Sequence, residues 1–173
     1  MKIIEGMKKI KELDLKAKDL REKVAKHCAD LDFETPVYTD QKVIVDGWLQ
    51  AHSDILKEIL RLKVAIQRTN LATVVSIDVA GEGEPLVQKT IAEWVHRRQK
   101  LAELEGSMWK GLGDRGLREG TATQTSGVQR DVKIRRYYDA KRRDEKITIF
   151  AAEPLRIDAA LEVVNAVTDL IEN

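Results

Sequence analysis

The sequence is poor in the side chains that carry out chemistry. Cys28 is its one cysteine, and the histidines His27, His52 and His96 are scattered. A lone cysteine closes no intrachain disulfide, which fits a reducing compartment. His27 and Cys28 are adjacent, so on a helix they diverge and cannot share an ion. His52 and His96 have no partner at ligand spacing, whereas a structural zinc site needs four ligands and a catalytic one needs three plus water. No orienting group can be named for Cys28 as a nucleophile, and Asp30 and Asp32 read as a solvated helix terminus. No catalytic residue, cofactor or metal is therefore expected, and no small-molecule substrate.

Long apolar runs are missing too. No stretch approaches bilayer length, and Met1-Lys2-Ile3-Ile4-Glu5-Gly6-Met7-Lys8-Lys9 has no apolar signal-peptide core, so a soluble protein is expected, cytoplasmic or in a virion if phage-encoded. The 30 Lys and Arg nearly cancel 29 Asp and Glu, so the global charge of +1 recruits neither nucleic acid nor an anionic membrane.

What is present is helical periodicity. Ile3, Met7, Ile10, Leu13, Ala17, Leu20, Val24, His27 and Leu31 recur every three or four residues and predict a helix over about 2–32. Pro36 breaks the pattern. Asp40 is a candidate N-cap for a helix over 41–72, with Ile44, Trp48, Ile55, Ile59, Leu62 and Ile66 inward. The two should form an antiparallel hairpin. Residues 73–79 are β-branched and predict a strand, and Pro85 suits the start of a helix over 85–109 burying Leu86, Ile91, Trp94, Val95, Leu101 and Leu104. A Gly-rich loop follows over 106–127. Residues 131–138 are a second strand candidate that could pair with 73–79, and a last helix over 140–172 should kink or break near Pro154. The fold class expected is mainly α, a long antiparallel helical bundle with a small two-stranded β element, in a single domain over 1–173. Leu20, Val24, Ile55, Ile59, Leu161 and Val164 are expected in its core.

Two constellations invite functional readings. Gly111-Leu112-Gly113-Asp114-Arg115-Gly116 matches GxGxxG, yet a helix precedes it where a dinucleotide site needs a strand, so a loop is expected. Residues 130–146 carry Arg130, Lys133, Arg135 and Arg136 beside Tyr137 and Tyr138, and more basic groups beyond. Such a segment could track a phosphate backbone and stack on bases. The competing reading is a solvated strand-to-helix junction that pairs with nearby acidic residues or across a subunit interface.

Gln67-Arg68-Thr69-Asn70-Leu71-Ala72-Thr73 resembles the Arg-Thr-Asn-x-x-Thr stretch of a small bacterial family labelled septicolysin. Leu86, Ile91, Ala92, Arg97, Arg98 and Leu101 stand where that family has a helix of the type Leu-Thr-x-Ala-x-x-x-Arg-Arg-x-x-Leu. Residues 156–170, including Asn165, are similar to its final helix. The resemblance implies a mainly helical protein with a small β element, no enzymatic activity, and a homo-oligomer, plausibly a hexamer. Arg68, Thr69, Asn70 and Asn165 are its structural motif residues, and Asn70 or Asn165 is expected to bridge backbone or Thr69 groups. The family label also implies a pore-forming, membrane-active protein as an alternative.

The function expected is a non-enzymatic structural protein that assembles with itself and with other structural proteins, a phage virion component being one version. Nucleic acid and membrane stand behind self-assembly as partners. Residues 106–138 are the expected assembly arm. Its strand would add to a neighbour's sheet, with Arg135 and Arg136 pairing with Glu82 or Glu84 of that neighbour.

Overall fold

The computed structural model describes residues 1–81, 85–123, 127 and 129–172. The chain is mainly helical and divides into two compact units, residues 1–74 with 161–173 and residues 75–160. The first unit draws its buried residues from both ends of the chain, and the intervening residues bury Ile77, Ile91, Trp94, Ala102 and Ile157 in a core of their own.

In the first unit, α1 spans Ile3–His27 and α2 spans Gln41–Ala72. The first helix stops short of the expected residue 32, because Asp30 and Asp32 oppose the negative end of the helix dipole and are poor helix formers. Asp40 precedes α2 without a side-chain cap bond. Gln41 ties the connection instead: its Oε1 accepts from Tyr38 N at 3.1 Å and its Nε2 donates to His27 O at 2.8 Å. Leu13 packs with Ile59 and Leu62, and a Cβ on Gly6 would lie 3.6 Å from Ile66 Cδ1. Pairing of early with late residues makes the hairpin antiparallel, as its sequence predicts. Ile59 and Leu161 are buried, while Leu20, Val24, Ile55 and Val164 are half-buried, since two helices cover each other along one side only. Gly6 rather than Met7 faces inward.

In the second unit, β1 (Val74–Ile77, beginning at the boundary) pairs with β2 (Val87–Thr90), not with residues 131–138. The expected helix over 85–109 begins at Ile91, because Thr90 and Glu93 form a reciprocal capping box. Glu93 N donates to Thr90 Oγ1 at 3.2 Å and Thr90 N to Glu93 Oε2 at 2.7 Å. Helix α3 (Ile91–His96) passes through a π-helical turn at Arg97–Leu101 into α4 (Ala102–Lys110). The wider turn rotates the register, so Ala102 and Gly106 point inward and Leu101 and Leu104 are exposed. Leu86, ahead of the helix, is exposed as well.

The segment expected as a loop over 106–127 holds the end of α4 and a strand, β3 (Gly120–Thr123). It pairs antiparallel with β4 (Gln129–Val132), Gly120 opposite Val132 and Thr123 opposite Gln129. Helix α5 spans Ala140–Val167, with Asp139 Oδ1 accepting from Arg142 N at 3.1 Å. Pro154 lies inside it without the expected break. Its neighbours Glu153 and Ile157 are both buried, which holds the helix through the missing amide. The helix ends at Val167 rather than 172 because the chain then turns to meet the N-terminus. Ile3 N donates to Thr168 O at 3.0 Å and Leu170 N to Met1 O at 2.8 Å.

Candidate functional site

The expected arm residues gather around Asp114. Gly113 and Asp114 follow the end of α4 and open a turn in which Arg115 and Gly116 have φ of 56° and 74°, closed by Leu117 N donating to Asp114 O at 2.9 Å. Successive positive φ angles belong to tight reversing turns, which suits Gly116 and strains Arg115. The Gly-rich motif therefore serves a tight turn after a helix.

The turn presents the Asp114 carboxylate to the residues after β4. Arg136 grips it with both arms, Nε to Oδ1 at 2.7 Å and Nη2 to Oδ2 at 2.6 Å. The Tyr138 hydroxyl donates to Oδ1 at 3.3 Å and accepts from Arg143 Nη1 at 3.4 Å. Arg143 also donates to Leu112 O at 3.2 Å, and its guanidinium lies 5.5 Å from the centre of the Tyr138 ring. The hydrogen bonds from Arg136 hold the Asp114 carboxyl below its ordinary range, and those to Asp114 push the Arg136 guanidinium up.

This junction splits the sequence-predicted set. Arg136 and Tyr138 are bound within their own chain, so Arg136 does not await a neighbour's carboxylate; Glu82 and Glu84, its expected partners, lie outside the described residues. Arg130, Lys133 and Arg135 are exposed and form no ion pair among the described residues. Tyr137 is 89% exposed. One edge of β4 is already taken by β3, so an added strand would meet a formed hairpin.

The motif residues at the end of α2 behave differently. Thr69 is fully buried; its Oγ1 donates to Ala65 O at 2.8 Å and accepts from Ile171 N at 2.9 Å. It thereby joins α2 to the C-terminal segment. The bridging expected of Asn70 or Asn165 is done by Thr69 itself. Asn70 Oδ1 is buried without a hydrogen-bond partner, and Asn165 makes no side-chain hydrogen bond among the described residues. Arg68 lines a surface groove with Leu60, Arg61, Ile171 and Glu172.

No protein-family model, curated protein or solved structure matches the chain. The septicolysin resemblance stays with the residues quoted for it. Among the described residues, no helix is long and apolar enough to cross a membrane, and no group of three or more His, Cys, Asp or Glu could hold a metal ion.

Glu153, which carries no motif in the sequence, is 2% exposed and accepts from Arg97 Nε at 2.6 Å and Arg97 Nη2 at 2.9 Å. Arg97 also bonds Glu105 and lies 5.6 Å from the centre of the Phe150 ring. The available signal was a single carboxylate among Phe150, Ala151, Pro154 and Ile157. Its depth places it in the core of the second unit rather than in an open site.

Proposed function

We propose that this protein is a non-enzymatic assembly protein that associates with copies of itself, the α1/α2 hairpins completing a longer helical bundle between subunits. The observation that carries this reading is the outward face of α2. Leu49, Leu56, Leu60 and Leu71 are all exposed, Leu60 at 64%. At 3.6 residues per turn they fall within about 60° of arc and run for about 33 Å. Ser53 and Gln67 interrupt this stripe, but four exposed leucines on one narrow arc are what a partner helix covers, and a soluble monomer rarely leaves such a set open. A structural component of a phage particle is one setting for such a protein.

Light scattering coupled to size-exclusion chromatography tests the reading. Wild type is expected above the 19.6 kDa of one chain. Leu56→Glu with Leu60→Glu, both on an exposed face, should lower the mass while circular dichroism keeps its helical signal. A wild-type monomer across micromolar concentrations overturns the proposal.

A further inference from the structure

The hairpin tip and the basic arm carry matching chemistry. Between residues 30 and 46 stand five carboxylates against one lysine. Phe33 and Val37, among them, are exposed, Phe33 at 79%. Glu34 Oε2 accepts from Leu31 N at 3.0 Å, whereas Asp30 and Asp32 make no side-chain bond among the described residues. The arm offers the opposite. Arg130, Lys133 and Arg135 are exposed cations outside any ion pair among the described residues, and Tyr137 stands open beside them.

We propose that the tip at residues 30–37 of one copy docks on the arm at residues 130–137 of another. The proposal rests on the self-assembly reading and names a contact distinct from the stripe on α2. Phe33 and Val37 would cover Tyr137 as the desolvated centre, and Asp30 and Asp32 would meet Lys133 and Arg135 around it. Charge selects the occupant. A global charge of +1 is divided locally into an acidic apolar patch and a basic aromatic one, so the complement of each is present on every other copy in equal number. Because the two patches differ, the contact either forms twice, reciprocally, in a two-fold pair or repeats head-to-tail in a closed ring or open filament.

Two charge-reversed chains test it. Asp30→Lys with Asp32→Lys makes the tip basic; Lys133→Glu with Arg135→Glu makes the arm acidic. Each variant alone should lose the wild-type assembly and fall to the smaller mass held by the α2 stripe. Mixed in equal amounts they should regain the larger assembly, because the basic tip of one fits the acidic arm of the other. Wild-type assembly should also shrink as NaCl rises from about 0.05 M to about 0.5 M, where the screening length falls below about 5 Å. Either variant assembling like wild type, a mixture that stays small, or a wild-type mass indifferent to salt overturns the contact. If the charge variants keep wild-type mass while Leu56→Glu with Leu60→Glu lowers it, the tip contact fails and the stripe remains. A monomeric wild type removes both.

Discussion

Arg97 and Glu153 meet through two hydrogen bonds of 2.6 and 2.9 Å, with the carboxylate buried and the guanidinium turned toward the Phe150 ring. The pair ties the π-helical turn after α3 to α5 one residue before Pro154. Removing one partner strands a buried charge, so Arg97→Ala should cost about 3–5 kcal/mol in urea unfolding. Arg97→Met with Glu153→Leu, which removes both charges and keeps volume, should cost clearly less than either single truncation. A double variant as damaged as the single ones would show that the pair's charges are not the issue.

Thr69 is the second internal tie. Thr69→Val keeps the shape but deletes the donor to Ala65 O and the acceptor for Ile171 N, leaving that amide unmet at an expected cost of about 1–3 kcal/mol. Hydrogen exchange is the sharper readout. The Ile171 amide should lose protection in Thr69→Val and keep most of it in Thr69→Ser.

Asp114 sets an acid dependence. The hydrogen bonds from Arg136 place its folded pKa below the ordinary 3.8. A depressed carboxyl stabilises the fold fully above the unfolded value and loses that contribution as pH falls through the folded one. Wild type should therefore lose stability below about pH 4 more steeply than Asp114→Asn, which is weaker at neutral pH and flatter in acid. Carboxyl NMR titration of Asp114 together with acid unfolding of both proteins checks the direction.

Arg115 sits at positive φ without the freedom of glycine. Arg115→Gly removes a strain of about 1–2 kcal/mol and loosens the unfolded chain by somewhat less, so a small net gain in thermal midpoint is expected. An unchanged or lower midpoint would mean that the Arg115 side chain contributes more than its backbone costs.

Ile59 lies where the two long helices close. Ile59→Ala should cost on the order of 2–5 kcal/mol through lost transfer energy and a cavity, and Leu20→Ala less, since Leu20 is only half-buried. Chemical denaturation of both variants gives the comparison.

The two long helices of the first unit were legible because their periodicity is strong and Pro36 marks the gap between them. The range of α2 matches its pattern from Gln41 to Ala72. What escaped is short or non-local. Pro85 suits a helix start by sequence, although Thr90 and Glu93 hold the stronger signal and Val87–Thr90 forms a strand instead. The π-helical turn has no mark in the apolar pattern, which puts Leu101 and Leu104 inside, whereas both are exposed. The sequence allows strand pairing across a long separation, whereas β4 finds β3 a few residues away, where loop closure is cheap. At the junction, the basic and aromatic residues were visible in sequence, but only the turn at Asp114 reveals that Arg136 and Tyr138 are already engaged.

Because Met1 and Ile3 bond Leu170 and Thr168, the first unit is written in two pieces of sequence with residues 75–160 between them. Its completion is thus an order-of-events problem. While those intervening residues are unfolded, bringing the two pieces together carries a chain entropy cost of about 4 kcal/mol for a gap of this length. Once they are compact, their own ends are fixed and most of that cost has already been met. Residues 161–172 are therefore the last to join, and the α1/α2 hairpin must wait for them with Thr69 lacking its bond to Ile171. During synthesis this exposes the hairpin for the whole time that the middle of the chain is being made, the interval in which a holding partner would have most to protect.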